Sequence, residues 1–172
     1  VAKENWTVAP FRPDFSPEGE KSGEKFWEFN YRRNGFAALN LAFADFKVIR
    51  IAKETSVAEP IELSFATDEN TAIFPHVLII AEAGSKATII ESYASQTKSF
   101  TNAAVQIVVE TAANLTHYRV QKESVEAFHV GTTESSLGAG SRYDSTNINL
   151  GGAISRHDID LQYTAEGDEK IV

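Results

Sequence analysis

Residues 76–93, HVLIIAEAGSKATIIESY, decide the fold because their pattern recurs along the chain. Two apolar stretches flank a short turn of small and polar residues at positions 82–87. A shift of 28 residues places this turn on residues 110–115, and two further shifts reach 138–143 and 166–171. Four copies of the turn therefore share one spacing without a gap.

Equivalent positions of the copies form columns in which apolar residues dominate. Before the turn the columns are Val77, Val105, Thr133 and Leu161; Ile79, Ile107, Ser135 and Tyr163; and Ala81, Val109, Leu137 and Ala165. After the turn they are Ala87, Leu115, Tyr143 and Ile171; Ile90, Tyr118 and Thr146; and Ser92, Val120 and Ile148. Alternation with a period of two predicts strands. A fixed repeat of strands predicts a solenoid whose coils stack about 4.8 Å apart, with Ile107 in its core and Gln106 on its surface.

The sequence divides the chain into an N-terminal arm with a capping helix, residues 1–35, and a partial β-helix core. Residues 1–23 contain three prolines and two glycines and predict a linker or a loosely attached arm. Residues 24–33 place Trp27 and Tyr31 on one helical face. We interpret them as a short helix that covers the end of the core, with an aromatic docking surface as the alternative.

The β-helix core is predicted to occupy residues 36–172. We interpret Asn34-Gly35 as the stop signal of the capping helix. Residues 36–75 predict strands, but the 28-residue spacing does not extend cleanly into them, so we expect a first, irregular coil. The alternation begins at Leu39, Leu41 and Phe43.

Composition and charge exclude several classes of function. The 172 residues include 42% hydrophobic ones and carry a net charge of −8, and the negative charge lies in residues 58–172, which have 7 Lys and Arg against 16 Asp and Glu. So acidic a surface repels phosphate backbones, which argues against nucleic-acid binding. The chain has no cysteine and no run long enough to span a membrane, and residues 1–10 lack the apolar run that a secretory signal needs. We therefore expect a cytoplasmic protein, and the absence of methionine suggests a piece of a longer chain.

Several motifs occur in a fixed order along the chain: NGFAALNLAF (34–43), AEPIELSF (58–65), the 76–93 stretch, HYRVQKESVEAFHVGTT (117–133) and LGGAISRHDIDLQYTAEGDE (150–169). Together they resemble the SufB/SufD family, the scaffold subunits of the SUF iron–sulfur cluster assembly machinery. The spacing of HYRVQ to AFHVGTT is more similar to SufD than to SufB. The resemblance implies a right-handed parallel β-helix, which agrees with the repeat.

The resemblance also implies partners. In this family a SufB-like and a SufD-like subunit pair through their β-helices, and each holds a SufC-like ATPase through a helical region that follows the β-helix. We expect this chain to stop within the β-helix, without the ATPase-binding region. The resemblance implies a non-enzymatic scaffold that acts through partner subunits. We expect no cofactor in this segment, with an iron–sulfur cluster only at the level of the full complex. The end of the solenoid, at Leu161, Tyr163 and Ile171, predicts self-association because it offers an unpaired strand edge.

Four histidines, His76, His117, His129 and His157, are the candidate soft metal ligands. A metal site would need two or more of them to converge, and nothing in the repeat places His117 and His129 in one column. We expect ordinary surface or turn histidines and no metal site. We likewise predict no catalytic residues.

A carbohydrate-active β-helix enzyme is the alternative from a different class. Arg156, Asp158 and Asp160 alternate along one strand and share its outward face, which separates the two carboxylates by about 6.8 Å. That separation suits an inverting glycosidase. A solvated face, with Arg156 balancing the two acids, explains the same residues more simply.

The repeated turns carry glycines and glutamates that need an explanation. The glycines at Gly84, Gly140, Gly151, Gly152 and Gly167 lack the phosphate-loop pattern, so we interpret them as turns between coils. The glutamates Glu82, Glu110 and Glu166 occupy one column, which Gly138 interrupts. We expect them to be hydrated, with a cation site as the weaker alternative.

Overall fold

Each repeat of the sequence folds into two strands, one in each of two sheets. The computed structural model describes residues 2–3, 6–10, 30, 32–164 and 170–171. The strands are β1 Ala2–Lys3, β2 Trp6–Pro10, β3 Asp45–Ile51, β4 Ile61–Thr67, β5 Ala72–Ile73, β6 Pro75–Ala81, β7 Lys86–Ser95, β8 Phe100–Val109, β9 Asn114–Lys122, β10 Phe128–Leu137, β11 Arg142–Asn149, β12 Ile154–Tyr163 and β13 Lys170–Ile171, and the helix α1 is Gly35–Phe43.

The strands wind into a parallel β-helix of about four turns. Sheet A runs in the order β1-β2-β3-β6-β8-β10-β12, and sheet B in the order β13-β11-β9-β7-β4. We number the coils by their strands: coil 1 is β3 and β4, coil 2 is β6 and β7, coil 3 is β8 and β9, coil 4 is β10 and β11, and β12 with β13 begins coil 5. The predicted right-handed parallel β-helix is confirmed.

The core lies between the two sheets and follows the predicted columns. Ile79 and Ile107 pair directly in the register of β6 and β8, and 1% or less of either residue is exposed. At the far side of the coil, Ala87, Leu115 and Tyr143 are stacked and buried. The columns that begin at Ile90 and Ser92 occupy the positions between the inward ones, so their side chains face outward from sheet B. Their greater solvent exposure shows this.

The columns are displaced by two residues in β12, which corrects the predicted register there, whereas Ile171 in β13 pairs with Tyr143 as predicted. Ser135 pairs with Leu161 rather than Tyr163, and Leu137 pairs with Tyr163. The cause is the turn into β12. Seven steps separate Gln121 from Phe128, but only five separate their partners Asn149 and Ile154.

Coil 1 is more regular than predicted. Ile49 pairs with Ile79, thirty residues on, whereas Ile61 pairs with Ile89 at the usual 28. Only the turn between β3 and β4 is longer, again by two residues. The strands themselves keep the alternation of the later coils.

The N-terminal residues include a strand, so the predicted loose arm is wrong for that part. β2 pairs antiparallel with β3, with Trp6 opposite Ile51 and Pro10 opposite Lys47. Trp6 also packs against the core. The first coil offers an unpaired strand edge, and β2 satisfies the backbone groups of that edge.

The strand predicted at Leu39, Leu41 and Phe43 is a helix instead. Asn34 does not stop a helix but begins α1, because its Oδ1 atom accepts hydrogen bonds from Phe36 N and Ala37 N at 2.9 and 3.0 Å. The predicted capping helix of residues 24–33, with Trp27 and Tyr31, lies outside the described residues except at 30, 32 and 33. Ala165, Glu166 and Gly167 also lie outside them.

Helix α1 docks on the outer face of sheet A through a buried polar contact. Asn40 Nδ2 donates to the carbonyl oxygens of Pro75 at 3.1 Å and Asn102 at 2.7 Å, which leaves Asn40 Oδ1 to accept from His76 Nδ1 at 2.8 Å. His76 Nε2 lies 3.2 Å from the side-chain amide of Gln106. Gln106 thus points away from the core, as predicted, but it is buried beneath the helix and not on the surface.

No helix within the described part of the chain is long and apolar enough to cross a membrane.

Candidate functional site

The inward face of sheet B changes from apolar to charged along the solenoid. In coil 1 the inward residues are Ile61, Leu63, Phe65 and Thr67. Their partners in coil 2 are Ile89, Glu91, Tyr93 and Ser95, and in coil 3 the inward positions of β9 hold Leu115, His117, Arg119 and Gln121. Coil 3 therefore carries ionisable side chains where coil 1 has an ordinary hydrophobic core.

These side chains form one buried group, which we call the polar core cluster. Its members are Glu91, Tyr93, His117, Arg119, Gln121, Glu123 and His129. Each is 5% exposed or less, although burying charge is costly unless every charged group is paired and hydrogen-bonded. The contacts of each carboxylate show how that condition is met.

Glu91 is surrounded by donors. The Tyr93 hydroxyl and the His117 Nε2 atom both donate to its carboxylate, the latter at 2.9 Å, and Arg119 Nε lies 3.8 Å away. Burial opposes the charged form, but the bonds from His117 and Tyr93 and the charge of Arg119 outweigh it and lower the pKa of Glu91. Burial and the neighbouring carboxylate raise the pKa of Tyr93 well above its usual value.

Glu123 is held in the same way at the other end of the cluster. Its carboxylate accepts from Thr101 Oγ1 at 2.6 Å, from Gln121 Nε2 at 2.9 Å and from His129 Nδ1 at 2.8 Å. Burial again opposes ionisation, and the three hydrogen bonds outweigh it, so the pKa of Glu123 is lowered.

Arg119 joins the two halves. Its guanidinium donates to His129 Nε2 and, at 3.1 Å, to Asn149 Oδ1, and it lies over the ring of Tyr93 at 5.3 Å from the centroid. A guanidinium can only donate, so His129 Nε2 must accept, and the imidazole is neutral with its proton on Nδ1. Burial and the charge of Arg119 lower the pKa of His129 despite the bond to Glu123.

Two residues on the sheet A side complete the surroundings of Arg119. His157 hydrogen-bonds Thr133 through Nε2 at 2.8 Å, and burial together with Arg119 lowers its pKa to about 4. Gly131 faces the lumen directly opposite, and a Cβ atom there would lie 3.2 Å from an Arg119 nitrogen and 3.2 Å from the His157 ring. A larger residue there would require the guanidinium or the ring to move by a few tenths of an ångström.

Hydrogen bonds connect one half of the cluster to the next coil. A continuous path of hydrogen bonds runs from Tyr143 through His117 and Glu91 to Tyr93, with Tyr143 bonded to His117 Nδ1 at 2.9 Å. Burial raises the pKa of Tyr143 to about 12. Both ring nitrogens of His117 are occupied by protein partners, and the described residues hold no group of three His, Asp or Glu side chains suited to a metal ion.

The expected surface or turn positions of the histidines are wrong. His76 lies under α1, and His117 and His129 are fully buried in the lumen, where His157 joins them. As predicted, His117 and His129 do not share a column. They converge nevertheless because β9 and β10 belong to opposite sheets and face each other across the lumen, a contact that column analysis does not consider.

Arg156, Asp158 and Asp160 share the outward face as predicted. Arg156 donates to Asp158 through two nitrogens at 3.0 and 2.7 Å, and this bond lowers the pKa of Asp158. Asp160 pairs with Arg33, and Asp158 also accepts from Asn34 at 3.4 Å. Both carboxylates are therefore held by protein donors rather than poised as an acid and a base.

The turn residues have structural explanations. Gly84 and Gly140 have φ values of +67 and +65, in the left-handed region that favours glycine. The glutamate column does not simply face water: Glu82 accepts from Lys53 N at 3.0 Å and Glu110 from Ala83 N at 2.9 Å. Each carboxylate thus satisfies a turn amide of the preceding coil.

At position 151 the shortened turn leaves no room for a side chain. A Cβ on Gly151 would lie 1.9 Å from the Glu123 carbonyl oxygen. Gly152, with φ +98, completes the turn.

Fold and cluster together define a class. The molecule is a parallel β-helix whose buried carboxylates and arginine are paired with one another or with neighbouring polar side chains. The SUF system FeS cluster assembly, SufBD core domain family matches residues 64–170. The chain belongs to this family.

Three proteins with sequences similar to this chain show how much of a full-length relative it covers. An iron–sulfur cluster assembly SufBD family protein of Synechocystis is 32% identical over 145 residues, 76% of this chain and 32% of that protein. The chloroplastic protein ABCI7 of Arabidopsis thaliana is 26% identical over 152 residues, 82% of this chain and 30% of ABCI7. SufD of Escherichia coli is 33% identical over 99 residues, 56% of this chain and 23% of SufD. The chain thus spans about a third or less of the length of these relatives.

Proposed function

We propose that this chain is part of a SufD-like scaffold subunit of a SUF iron–sulfur cluster assembly complex and that it acts through partner subunits rather than by catalysis. The observation that carries the proposal is the family match over residues 64–170, which begins in β4 and includes nearly all the later coils. The similarity to SufD of Escherichia coli supports the SufD-like assignment.

The partners follow from the family and from this chain's surface. A SufB-like subunit would pair with the β-helix, and a SufC-like ATPase would join through segments outside this chain. A net charge of −8 disfavours nucleic acid as a partner. The absence of cysteine fits a reducing compartment such as the cytoplasm.

The non-enzymatic role is supported by the state of the candidate acids. Glu91 and Glu123 are buried and fully bonded, and Asp158 and Asp160 each contact an arginine. The carbohydrate-active alternative finds no support in this arrangement or in the family.

Co-expression tests the proposal. The tagged chain is produced with the SufB-like and SufC-like subunits of one SUF system, and the complexes are separated by size-exclusion chromatography. We expect the SufB-like subunit to co-elute with the chain, and the SufC-like subunit to co-elute only when the SufB-like subunit is present. Failure to retain the SufB-like subunit, under conditions where a full-length SufD retains it, would contradict the proposal, as would hydrolysis of an acidic polysaccharide.

The chain by itself is proposed to hold no iron–sulfur cluster. Clusters are held mainly by cysteine thiolates, and the sequence has none. After anaerobic reconstitution we expect no stable visible absorption from a cluster and no stoichiometric iron. A persistent cluster signal would show that histidine and carboxylate ligands suffice.

A further inference from the structure

The turns that follow β3, β6, β8 and β10 share one geometry. In each turn the backbone N–H of the fourth residue donates to the carbonyl oxygen of the first, at 3.0 to 3.2 Å, and the third residue has a positive φ. These turns are residues 52–55, 82–85, 110–113 and 138–141. They are type II turns, in which the second residue has the φ that proline also adopts.

The backbone N–H of the second residue finds its acceptor in the next coil. In the first turn Lys53 N donates to the Glu82 carboxylate at 3.0 Å, and in the second turn Ala83 N donates to the Glu110 carboxylate at 2.9 Å. Each glutamate is the first residue of the next turn, so the bond links one turn to the turn stacked on it. A hydrogen bond to an ionised carboxylate is stronger than one to a neutral acceptor.

The third turn has no such carboxylate. Its second residue is Thr111, and Gly138 occupies the place of the glutamate. Gly138 N donates to the last carbonyl of β8 at 2.8 Å, just as Glu110 N donates to the last carbonyl of β6 at 2.9 Å. Within the described part of the chain, Thr111 N has no hydrogen-bond acceptor. A Cβ atom on Gly138 would lie 2.9 Å from Thr111 N, so a glutamate there would require the backbone to shift.

A groove opens beside this amide. Its volume is about 270 Å³, and Thr111, Ser136, Gly138 and Thr164 contribute to its lining. Thr111 and Ser136 also carry hydroxyl groups that have no hydrogen-bond partner among the described residues, whereas the Thr164 hydroxyl donates to a backbone carbonyl. One backbone N–H and two hydroxyls are thus left to bind a polar ligand.

Glu110 also lines the groove, but its carboxylate is bound to the preceding turn through Ala83 N. Glu82 and Glu110 stand one coil apart, about 4.8 Å at the backbone, and a turn amide holds each of them. The solenoid therefore already accommodates neighbouring carboxylates at this corner. A carboxylate on Thr111 N would extend the same series by one coil.

We propose that the groove at Thr111 is a carboxylate-binding site, where a ligand carboxylate accepts from Thr111 N in place of the absent glutamate. The carboxylate comes from a small organic acid or from an aspartate or glutamate side chain of another polypeptide. One charge-assisted hydrogen bond with two neighbouring hydroxyls gives weak affinity, so we expect a dissociation constant of about 1–50 mM.

Chemical-shift titration of the isotope-labelled chain tests the site. The probes are propionate, which reproduces the end of a glutamate side chain, and a capped Ala-Glu-Ala peptide, with capped Ala-Gln-Ala as the neutral control, all at constant ionic strength. The Thr111 amide proton should move downfield with a probe that carries a carboxylate and stay in place with the glutamine peptide. The Ala83 amide proton, already bonded to Glu110, should stay in place throughout.

The two carboxylate probes distinguish the source of the ligand. A glutamate peptide that binds more than about fivefold tighter than propionate assigns the site to an acidic segment of another polypeptide, and any smaller preference assigns it to small organic acids. No shift of the Thr111 amide with either probe up to about 100 mM, or an equal shift with the glutamine peptide, would overturn the site.

A proline at the same position removes the proposed donor. Thr111→Pro deletes the N–H, which bonds no described residue, and proline is favoured at the second position of a type II turn. The tighter of the two probes should shift the neighbouring Gly138 amide proton in the parent and no longer shift it in this variant.

The matched control keeps the N–H. Thr111→Ala should bind the same probe within about threefold of the parent, because only the hydroxyl is lost. The β8 amide shifts without probe report whether each variant keeps the fold. An undiminished response of Gly138 in Thr111→Pro would overturn Thr111 N as the donor.

Discussion

Ile107 is the residue on which the register can be tested most directly. It pairs with Ile79 on one side and Ser135 on the other, and it is 1% exposed. Ile107→Ala should lower the free energy of unfolding by about 2–5 kcal/mol, measured by urea unfolding, because it leaves a cavity between three coils.

An exposed position on sheet B is the control for this substitution. Thr146 faces outward on β11, so Thr146→Ala should change the free energy of unfolding by less than about 0.5 kcal/mol. Gln106, which the sequence suggests as a control, is unsuitable because α1 buries it. Equal losses at Ile107 and Thr146 would mean that the strand faces are assigned wrongly.

Gly131 tests the packing of the polar core cluster. Gly131→Ala would place a methyl group 3.2 Å from Arg119 and His157, so the guanidinium must shift away from its partners. We expect the free energy of unfolding to fall by about 1–3 kcal/mol, the usual cost of overpacking. Gly35→Ala is the matched control, since no atom lies within 4 Å of its added Cβ. A loss at Gly35 as large as that at Gly131 would contradict the role assigned to the cluster.

Part of the cluster could have been predicted from the sequence. Glu91 and Arg119 have the same parity as the apolar residues Ala87 and Leu115, which already places two charges inside the lumen. The hydrogen bond between Arg119 and His129 could not be predicted, because the two residues lie on opposite sheets. Which side chains meet across the lumen depends on its width. The repeat predicts only which residues of neighbouring coils stack along the solenoid axis.

Helix α1 is the element whose stability should depend most clearly on pH. Burial lowers the pKa of His76 to about 4, below the 6.5 usual for histidine, so the unfolded chain binds the proton more tightly. The contribution of His76 to the free energy of unfolding is therefore complete above pH 6.5 and is lost as the pH falls towards 4. The free energy of unfolding changes by up to about 1.4 kcal/mol per pH unit in this range.

A variant separates His76 from the other buried histidines, whose lowered pKa values act in the same direction. His76→Gln should reduce the slope of unfolding free energy against pH between pH 5 and 6.5. The slope of Thr146→Ala should equal that of the parent. If His76→Gln retains the full slope, then His76 is not held neutral in the folded state.

Helix α1 also shows why the sequence predicts the strands of coils 2 to 4 correctly but predicts residues 36–43 wrongly. The strands of coils 2 to 4 are specified by a repeated alternation, so each copy supports the others. Residues 36–43, FAALNLAF, occur once, and their spacing of apolar residues fits a strand as well as a helix. The Asn34 cap is a local signal that our sequence analysis interpreted as a helix stop, whereas the docking of Asn40 depends on tertiary contacts.

For the whole molecule, self-association through coil 5 remains a prediction. Ile159, Leu161 and Tyr163 face inward by register but are 45%, 36% and 51% exposed, since no described coil covers them. Light scattering at rising concentration should show association, and Leu161→Lys with Tyr163→Lys should weaken it. A parent chain that stays monomeric at high concentration would contradict the prediction.

The spacing between paired strands of neighbouring coils is even wherever the structure describes both strands. Paired residues lie 30, 28 or 26 positions apart, as Ile49 with Ile79, Val77 with Val105 and Ser135 with Leu161 show. An insertion or deletion of one residue would turn the following strand inside out, whereas a change of two preserves which side chains face the lumen. A turn can therefore gain or lose two residues without any adjustment in the next strand, and we expect a change of one residue to need a bulge or a second, compensating change before that strand.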